Sequence, residues 1–469
     1  MKRIISTAAV GLMALVASAE TSISDVIVRQ QWPWNGKVNI DYILHGDEGS
    51  SHDVAVTLRN GSSVITNEYG SLSGDLFGVT PGARRIVWDP AYNSPSYAEA
   101  LMVNFSATLS TPSDGKTYMV VDLGKGTSAT AEDPYPVTFT DTPPAGGWTD
   151  EYKTDKLVLR RIPAGTAVLG APNSELTDIG VAIGNIANIQ KQRKTTFANS
   201  FYVAIFETTQ KQFMNVMGYS PITSTAVSGR GAWEGDANPV INANYQLLRG
   251  TNSFVKASDS AGGIWPNHAE TSFFGVLNSK LPAAALSAAG LSDYEMELPT
   301  ISQWEYACRA GTTGAWNNGT TITNSTKDAN ADLVGWYGKS NEKTTTICRE
   351  VGQLEPNAYG LYDMHGNVAE LTRDRIFSYN SSNASQIWAE SSYVDPLLYN
   401  KQGESTCYVY ACGGFLYRGT YSNDEVIQDG NVGGVVGMRS SSVVARQYNE
   451  SNAMRSVRTG FRIALTPKR

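Results

Sequence analysis

The stretch from Asn357 to Glu370, reading NAYGLYDMHGNVAE, gathers more potential chemistry than any other part of this 469-residue chain. Asn357, Asp363, Asn367 and Glu370 supply oxygen donors, and Gly360 and Gly366 allow sharp turns between them. Carboxylate and amide oxygens brought together by glycine turns suit two tasks: pinning a long irregular loop, or holding a hard cation such as calcium. A second candidate is the pair Cys407 and Cys412, whose thiolates could ligate a soft metal or act as nucleophiles. The chain has four cysteines, with Cys308 and Cys348 completing the set, and none shows the Cys-x-x-Cys spacing of a zinc or redox site. His365 stands beside Gly366, but the four histidines are scattered at 45, 52, 268 and 365 and form no two-histidine metal motif. It reads as a turn histidine. No Ser-His-Asp order, phosphate-binding loop or HExxH motif occurs.

Two kinds of element must position these residues. From 20 to about 110, strand-like runs alternate with turns: Val26–Arg29, Val38–Leu44, Val54–Leu58, Ile86–Trp88 and Leu101–Phe105, separated by Gly46, Gly49, Asn60-Gly61, Gly70 and Pro81-Gly82. That spacing predicts a β-sandwich. Trp32 to Asn35 reads as core aromatic plus an edge turn, or else as a binding surface. Two more strands, Tyr118–Leu123 and Tyr135–Phe139, precede a plausible hinge at Pro143–Gly147. After it come strand, turn and strand over Leu157–Gly170, and a buried strand over Phe201–Phe206. Phe213, Val216 and Met217 recur at helical spacing behind Thr208 or Thr209, and Ser302–Ala310 predicts a second helix. The expectation is a signal peptide over 1–19, a β-sandwich (Ig-like) domain plus linker over 20–145, and an α+β domain over 150–469.

Composition narrows the function. Charged residues are 17% of the chain and its formal net charge is −7, so nothing offers a basic surface to nucleic acid or to an anionic membrane. Lys2-Arg3, the apolar run Ile4 to Val16 and the small residues Ala17-Ser18-Ala19 read as an export signal. No later stretch approaches the ~20 apolar residues of a membrane span. An exported protein, periplasmic or extracellular, is expected.

In their order along the chain, several motifs resemble the formylglycine-generating-enzyme (sulfatase-modifying factor) family. They are Ile162–Thr166, Phe201–Thr209, Met217–Pro221, Pro239-Val240, Leu298–Gly311, Val351-Gly352, the Asn357–Glu370 block and Gly460–Ile463. The resemblance covers about residues 155–465 and implies a C-type-lectin-like fold. It also implies oxidation of a sulfatase cysteine to formylglycine, with O₂ and a copper ion held by two cysteines. In active members those cysteines follow an Arg-Gly-Gly-Ser-Trp strand, matched here by Cys412–Phe415 or Arg418–Tyr421. No cysteine lies beyond 412, so the sequence argues against copper. Cys407 and Cys412 have the right separation but precede the glycines, and read as a relocated pair, a structural disulfide or two small buried residues. Cys308 reads as core packing.

The family's calcium site carries over to Asp363 and Glu370 through side chains and to Gly366 and Val368 through carbonyls. The alternative is a loop pinned by hydrogen bonds without an ion, and Ala369 and Leu371 stand where the family has tryptophans. Glu207 reads as an internal salt-bridge or helix-start residue rather than a general base. The region 413–456 is rich in aromatic and adaptable polar residues, with Tyr417, Arg418, Tyr421, Asn423 and Asp424 as candidate ligand-binding residues beside Asn431, Arg439, Arg446 and Tyr448. Three functions follow: a non-catalytic module recognising a protein or glycan, a formylglycine-generating oxidoreductase, or a structural surface protein.

Overall fold

The computed structural model describes residues 21–31, 35–47, 52–65, 68–69, 71–92, 105–110, 116–172, 175, 190–222, 233–253, 255–256, 258, 262–324, 327–337, 348–377, 388, 390, 392–400, 406–412, 438–441, 443–449 and 459–469. The signal-like segment, Trp32–Trp34, and Tyr417, Arg418, Tyr421, Asn423, Asp424 and Asn431 lie outside them.

Period-two alternation builds the N-terminal part. Along Val38–His45 the side chains of Val38, Ile40, Tyr42 and Leu44 are buried. One antiparallel sheet runs Ser22–Gln30, Val38–His45, Gly82–Trp88, Leu72–Gly74; a second runs Ser63–Ile65, Ala55–Asn60, Phe105–Ser110. Both sheets contribute to one apolar cluster that includes Ile40, Leu58, Ile65, Ile86 and Trp88.

The rest is organised by a six-stranded antiparallel sheet in the order Val137–Thr140, Tyr118–Asp122, Lys156–Ile162, Phe201–Ala204, Ala464–Pro467, Tyr294–Glu297. Its central strands are covered on both faces. Met119, Val121, Leu157 and Leu159 belong to one core, and Tyr118, Val158 and Ile162 to another. This sheet also moves a seam. The strands Tyr118–Asp122 and Val137–Thr140, placed by sequence ahead of the Pro143–Gly147 hinge, hydrogen-bond into the C-terminal sheet. The two halves therefore part between Ser110 and Tyr118.

Both expected helices form, and capping fixes their starts. Gln210–Met217 opens with a capping box between Thr209 and Gln212, and Ile301–Arg309 with one between Thr300 and Gln303. Tyr245–Arg249, Phe273–Ser279 and Ala283–Ala288 are further short helices that periodicity alone does not predict. Phe273, Phe274 and Leu277 are all buried, so Phe273–Ser279 lacks a clear polar face for a periodicity test to detect. Its usable signal is the cap, where Ser272 accepts from the Gly275 N–H. A last sheet has Ala369–Phe377 antiparallel to Thr406–Cys412, which pairs in turn with Val443–Asn449. The described residues are mostly β with short helices, and none of those helices is long and apolar enough to cross a membrane.

Candidate functional site

The Asn357–Glu370 block works first as a bracket. Asn357 donates through Nδ2 to the carbonyls of Ala307 and Cys308 at 2.8 and 3.0 Å, and its Oδ1 accepts from the Tyr359 and Leu361 N–H groups. Asp363 and Asn367 adopt φ of 56° and 55°, and Gly366 adopts 89°. Gly366 has a second reason to be glycine: a Cβ there would lie 1.8 Å from the Trp336 carbonyl oxygen, on the partner strand Gly335–Trp336. Asn367 closes the bracket, donating to Glu207 at 2.6 Å and accepting from the Arg349 N–H at 2.8 Å.

These turns bring Asp363 and Glu370, both buried, within reach of the charge of buried Glu207. Glu370 binds Arg462 bidentately, Nη2 to Oε1 at 2.7 Å and Nε to Oε2 at 3.0 Å, and accepts from the Trp304 indole at 2.7 Å. Arg462 also donates to the carbonyls of Ala204 and Tyr362. Glu207 accepts from the Val368 N–H at 3.0 Å as well as from Asn367. Burial, with the nearby charges of Asp363 and Glu370, holds its carboxyl well above the ordinary range. Asp363 accepts from the Gly352 N–H at 2.6 Å through Oδ2, while its buried Oδ1 has no hydrogen-bond partner. Burial pushes Asp363 up to about 6. Glu207 is thus an internal residue.

The cluster bears on calcium. Asp363 and Glu370 do sit within reach of each other's charge, and three carboxylates face the single guanidinium of Arg462. Hard oxygen donors and an orphaned Asp363 Oδ1 fit a hard cation in chemistry. Against that, both Glu370 oxygens are already bonded, and among the described residues no three His, Cys, Asp or Glu side chains converge as a metal-holding group.

The structure joins two residues that are 57 positions apart in sequence. Cys308 Sγ lies 3.8 Å from His365 Nε2. The pair is not a nucleophile and base. His365 donates from Nδ1 to the Met438 carbonyl at 2.6 Å, which leaves Nε2 as the acceptor for the Asn317 N–H at 3.0 Å. Burial drives the imidazole down to about 4 and the thiol up to about 12, away from a thiolate–imidazolium pair. Cys308 and Cys348 are free, buried thiols.

Cys407 and Cys412 occupy the two ends of one continuously paired strand, Thr406–Cys412. Five residues of strand separate their Cα atoms by roughly 16 Å. A disulfide needs at most about 7 Å. Of the readings open for this pair, a disulfide between them has no room in this strand, and neither does a metal held jointly by both. Arg439, read from sequence as part of a recognition surface, is buried and donates to Glu175 at 2.7 Å and Gln190 at 2.9 Å. Arg446 and Tyr448 fall on the strand Val443–Asn449.

Residues 149–467 match the sulfatase-modifying factor enzyme 1-like domain. The chain is 28% identical over 194 residues to the chaperone protein LppX of Paenibacillus barcinonensis, covering 38% of this chain and 63% of that protein. It is 34% identical over 94 residues to the formylglycine-generating enzyme of Mycobacterium tuberculosis, covering 18% of this chain and 28% of the enzyme. It thus spans less than two thirds of the length of these curated relatives. Treponema denticola variable protein 1, a solved structure, is 21% identical and aligns over 66% of this chain and 96% of its own with a TM-score of 0.41. The motifs from Ile162 to Ile463 and a domain match over more than half the chain agree, and the chain belongs to the sulfatase-modifying factor (formylglycine-generating-enzyme-like) family.

Proposed function

We propose that this chain is an exported recognition protein, in which a C-type-lectin-like sulfatase-modifying-factor domain binds a protein or glycan without oxidising it. The observation that carries this reading is the disposition of sulfur. Copper-dependent cysteine oxidation needs two thiolates close enough to share one ion. Here Cys308 and Cys348 are buried with thiols pushed up to about 12, and Cys407 and Cys412 stand five residues apart along one strand. The aromatic and polar residues Tyr417, Arg418, Tyr421, Asn423 and Asp424 are the proposed ligand-binding set.

The decisive experiment incubates the purified protein with Cu(I), O₂ and a cysteine-containing sulfatase peptide. The expected result is no stoichiometric copper and no aldehyde on the peptide. Turnover lost on Cys407→Ser or Cys412→Ser would establish the oxidoreductase instead. Calcium, if held, uses Asp363 and Glu370 side chains with the Gly366 and Val368 carbonyls, and would supply charge neutralisation to the loop rather than reactivity. A rise in Tm on adding calcium, absent in Asp363→Asn, tests that part. The export reading predicts that the mature chain starts at Glu20, which intact mass determines.

A further inference from the structure

On the outer face of the six-stranded sheet, near its edge, lies a groove of about 500 Å³ lined by no residue of the carboxylate cluster. We propose that it binds one pyranose unit of a carbohydrate. The proposal goes beyond the recognition reading above and shares no residue with it.

Register builds the floor. Tyr118–Asp122 alternates Met119 and Val121 into the core, leaving Val120 and Asp122 on the groove side. Its neighbours place Lys156 and Pro136 on either side of Asp122, and Thr138 beside Val120. Pro136, Thr138 and Thr140 therefore share one face of the edge strand. The chain then crosses over as Thr142–Ala145 and turns into Trp148 and Tyr152, which complete the lining. Trp148 is held edge-on between Tyr118 and Tyr152, with ring centroids 5.1 and 5.2 Å away, so the aromatic wall is preorganised.

The chemistry selects a neutral, hydroxyl-rich ligand with an apolar face. Asp122 and Thr138 offer hydrogen-bonding oxygens, the Thr140 hydroxyl being taken up by the Thr142 backbone, and Trp148 offers ring surface. Lys156 is already engaged by Glu151 at 2.7 Å and sits 4.8 Å over the Tyr152 ring. Asp122, Glu151 and Lys156 sum to one negative charge, which works against phosphates and other anions. A volume of about 500 Å³ falls within the 300–1,000 Å³ of small-molecule sites and exceeds what one pyranose needs. A proline-rich peptide would also find aromatic rings here, but would leave the Asp122 carboxylate facing a ligand with few donors.

Saturation-transfer NMR on the full protein with the methyl α-glycosides of glucose, galactose, mannose and N-acetylglucosamine tests this. At least one should receive transfer. Thr138→Val should weaken it about tenfold, the loss of one hydrogen bond to the ligand, and Asp122→Asn by a similar factor, because a neutral amide replaces the charged acceptor. Both variants should fold, because valine is close to isosteric on an outer strand face and asparagine keeps the acceptor used by the Gly124 N–H at 2.8 Å. Trp148→Leu should abolish transfer. Absence of transfer to all four sugars, transfer unchanged in Thr138→Val and Asp122→Asn, or binding of a polyproline peptide in place of sugar would each overturn the proposal.

Discussion

Arg462 shows how much one side chain can hold at the residue scale. It is the guanidinium among Glu207, Asp363 and Glu370, and it bridges the closing Gly460–Ile463 motif to the Asn357–Glu370 block. Removing one partner of a buried ion pair leaves uncompensated charge, at a cost of about 3–5 kcal/mol. Arg462→Ala should lose about that much, read by denaturant unfolding, and more than Glu370→Gln, which keeps an acceptor for Trp304. Equal and small losses would mean that the carboxylates are already protonated. Chemistry at Cys308 has a separate test. A thiol pushed up to about 12 and an imidazole already accepting the Asn317 N–H give no native thiolate. Iodoacetamide at pH 8 should leave Cys308 and Cys348 unlabelled until the protein is denatured, as mass spectrometry would register. Rapid native labelling of Cys308 would contradict the buried, inert pair.

Among elements, the narrowest tolerance is at the short pairing of Gly335–Trp336 with His365–Gly366. Gly366→Ala places a methyl against the Trp336 carbonyl at a φ of 89°, so backbone must move. It should cost at least about 3 kcal/mol and disturb the neighbouring turn that carries Asp363. Thr209→Ala removes a cap and the hydroxyl's bond to the Lys153 carbonyl at 2.7 Å, and should cost less, about 1–2 kcal/mol. Comparable Tm losses for the two would refute the assigned contact. The same elements separate what sequence can and cannot convey. Caps and alternation are local, so Thr209, Thr300 and the run Val38–Leu44 are legible in the residue order itself. Partner choice is not local. Cys308 meets His365 across 57 residues and Arg462 meets Glu370 across 92, and only the folded sheets determine those meetings. The Tyr118–Asp122 strand reads identically whether it pairs forward or back, which is why sequence places the hinge after it rather than before. The unexpected helices are short, and for Tyr245–Arg249 and Phe273–Ser279 the strongest signals are the single capping residues Asn244 and Ser272.

At the scale of the whole molecule, buried charge sets both the pH response and the union of the two halves. Burial pushes Asp374 up from 3.8 to about 6, opposed by the Leu398 and Ile301 N–H groups it accepts. Its folded pKa is the higher one, so its contribution is complete below about pH 4 and is lost as pH rises through 6, about 3 kcal/mol in all. Glu297 has the opposite sign: burial opposes its charge, yet Arg249 and Arg373 hold it well below the ordinary range, so its support is present above 4.5 and lost on acidification. With calcium chelated, Tm should peak near about pH 4 to 4.5 and fall as pH rises to about 6; a steady rise from 4.5 to 7 would show that Asp374 does not titrate as placed. The halves meet where Arg160, 3% exposed, pairs with Asp53 across the seam. Its guanidinium lies 5.2 and 5.6 Å from the Tyr118 and Tyr359 rings. Phe77 packs on Tyr359 at 4.6 Å, and Glu68–Tyr69 adds a parallel pairing to Thr166–Ala167. A tether alone would let each half unfold by itself, whereas this contact couples them. Arg160→Met keeps volume but leaves Asp53 without its cation, holding the Gly78 N–H at 3.2 Å, a loss of about 1–3 kcal/mol at a partly exposed carboxylate. Calorimetry should then resolve two transitions where the parent shows one, and proteolysis should open between Ser110 and Tyr118. A single unshifted transition in Arg160→Met would mean that Phe77 and Tyr359 carry the coupling without the ion pair.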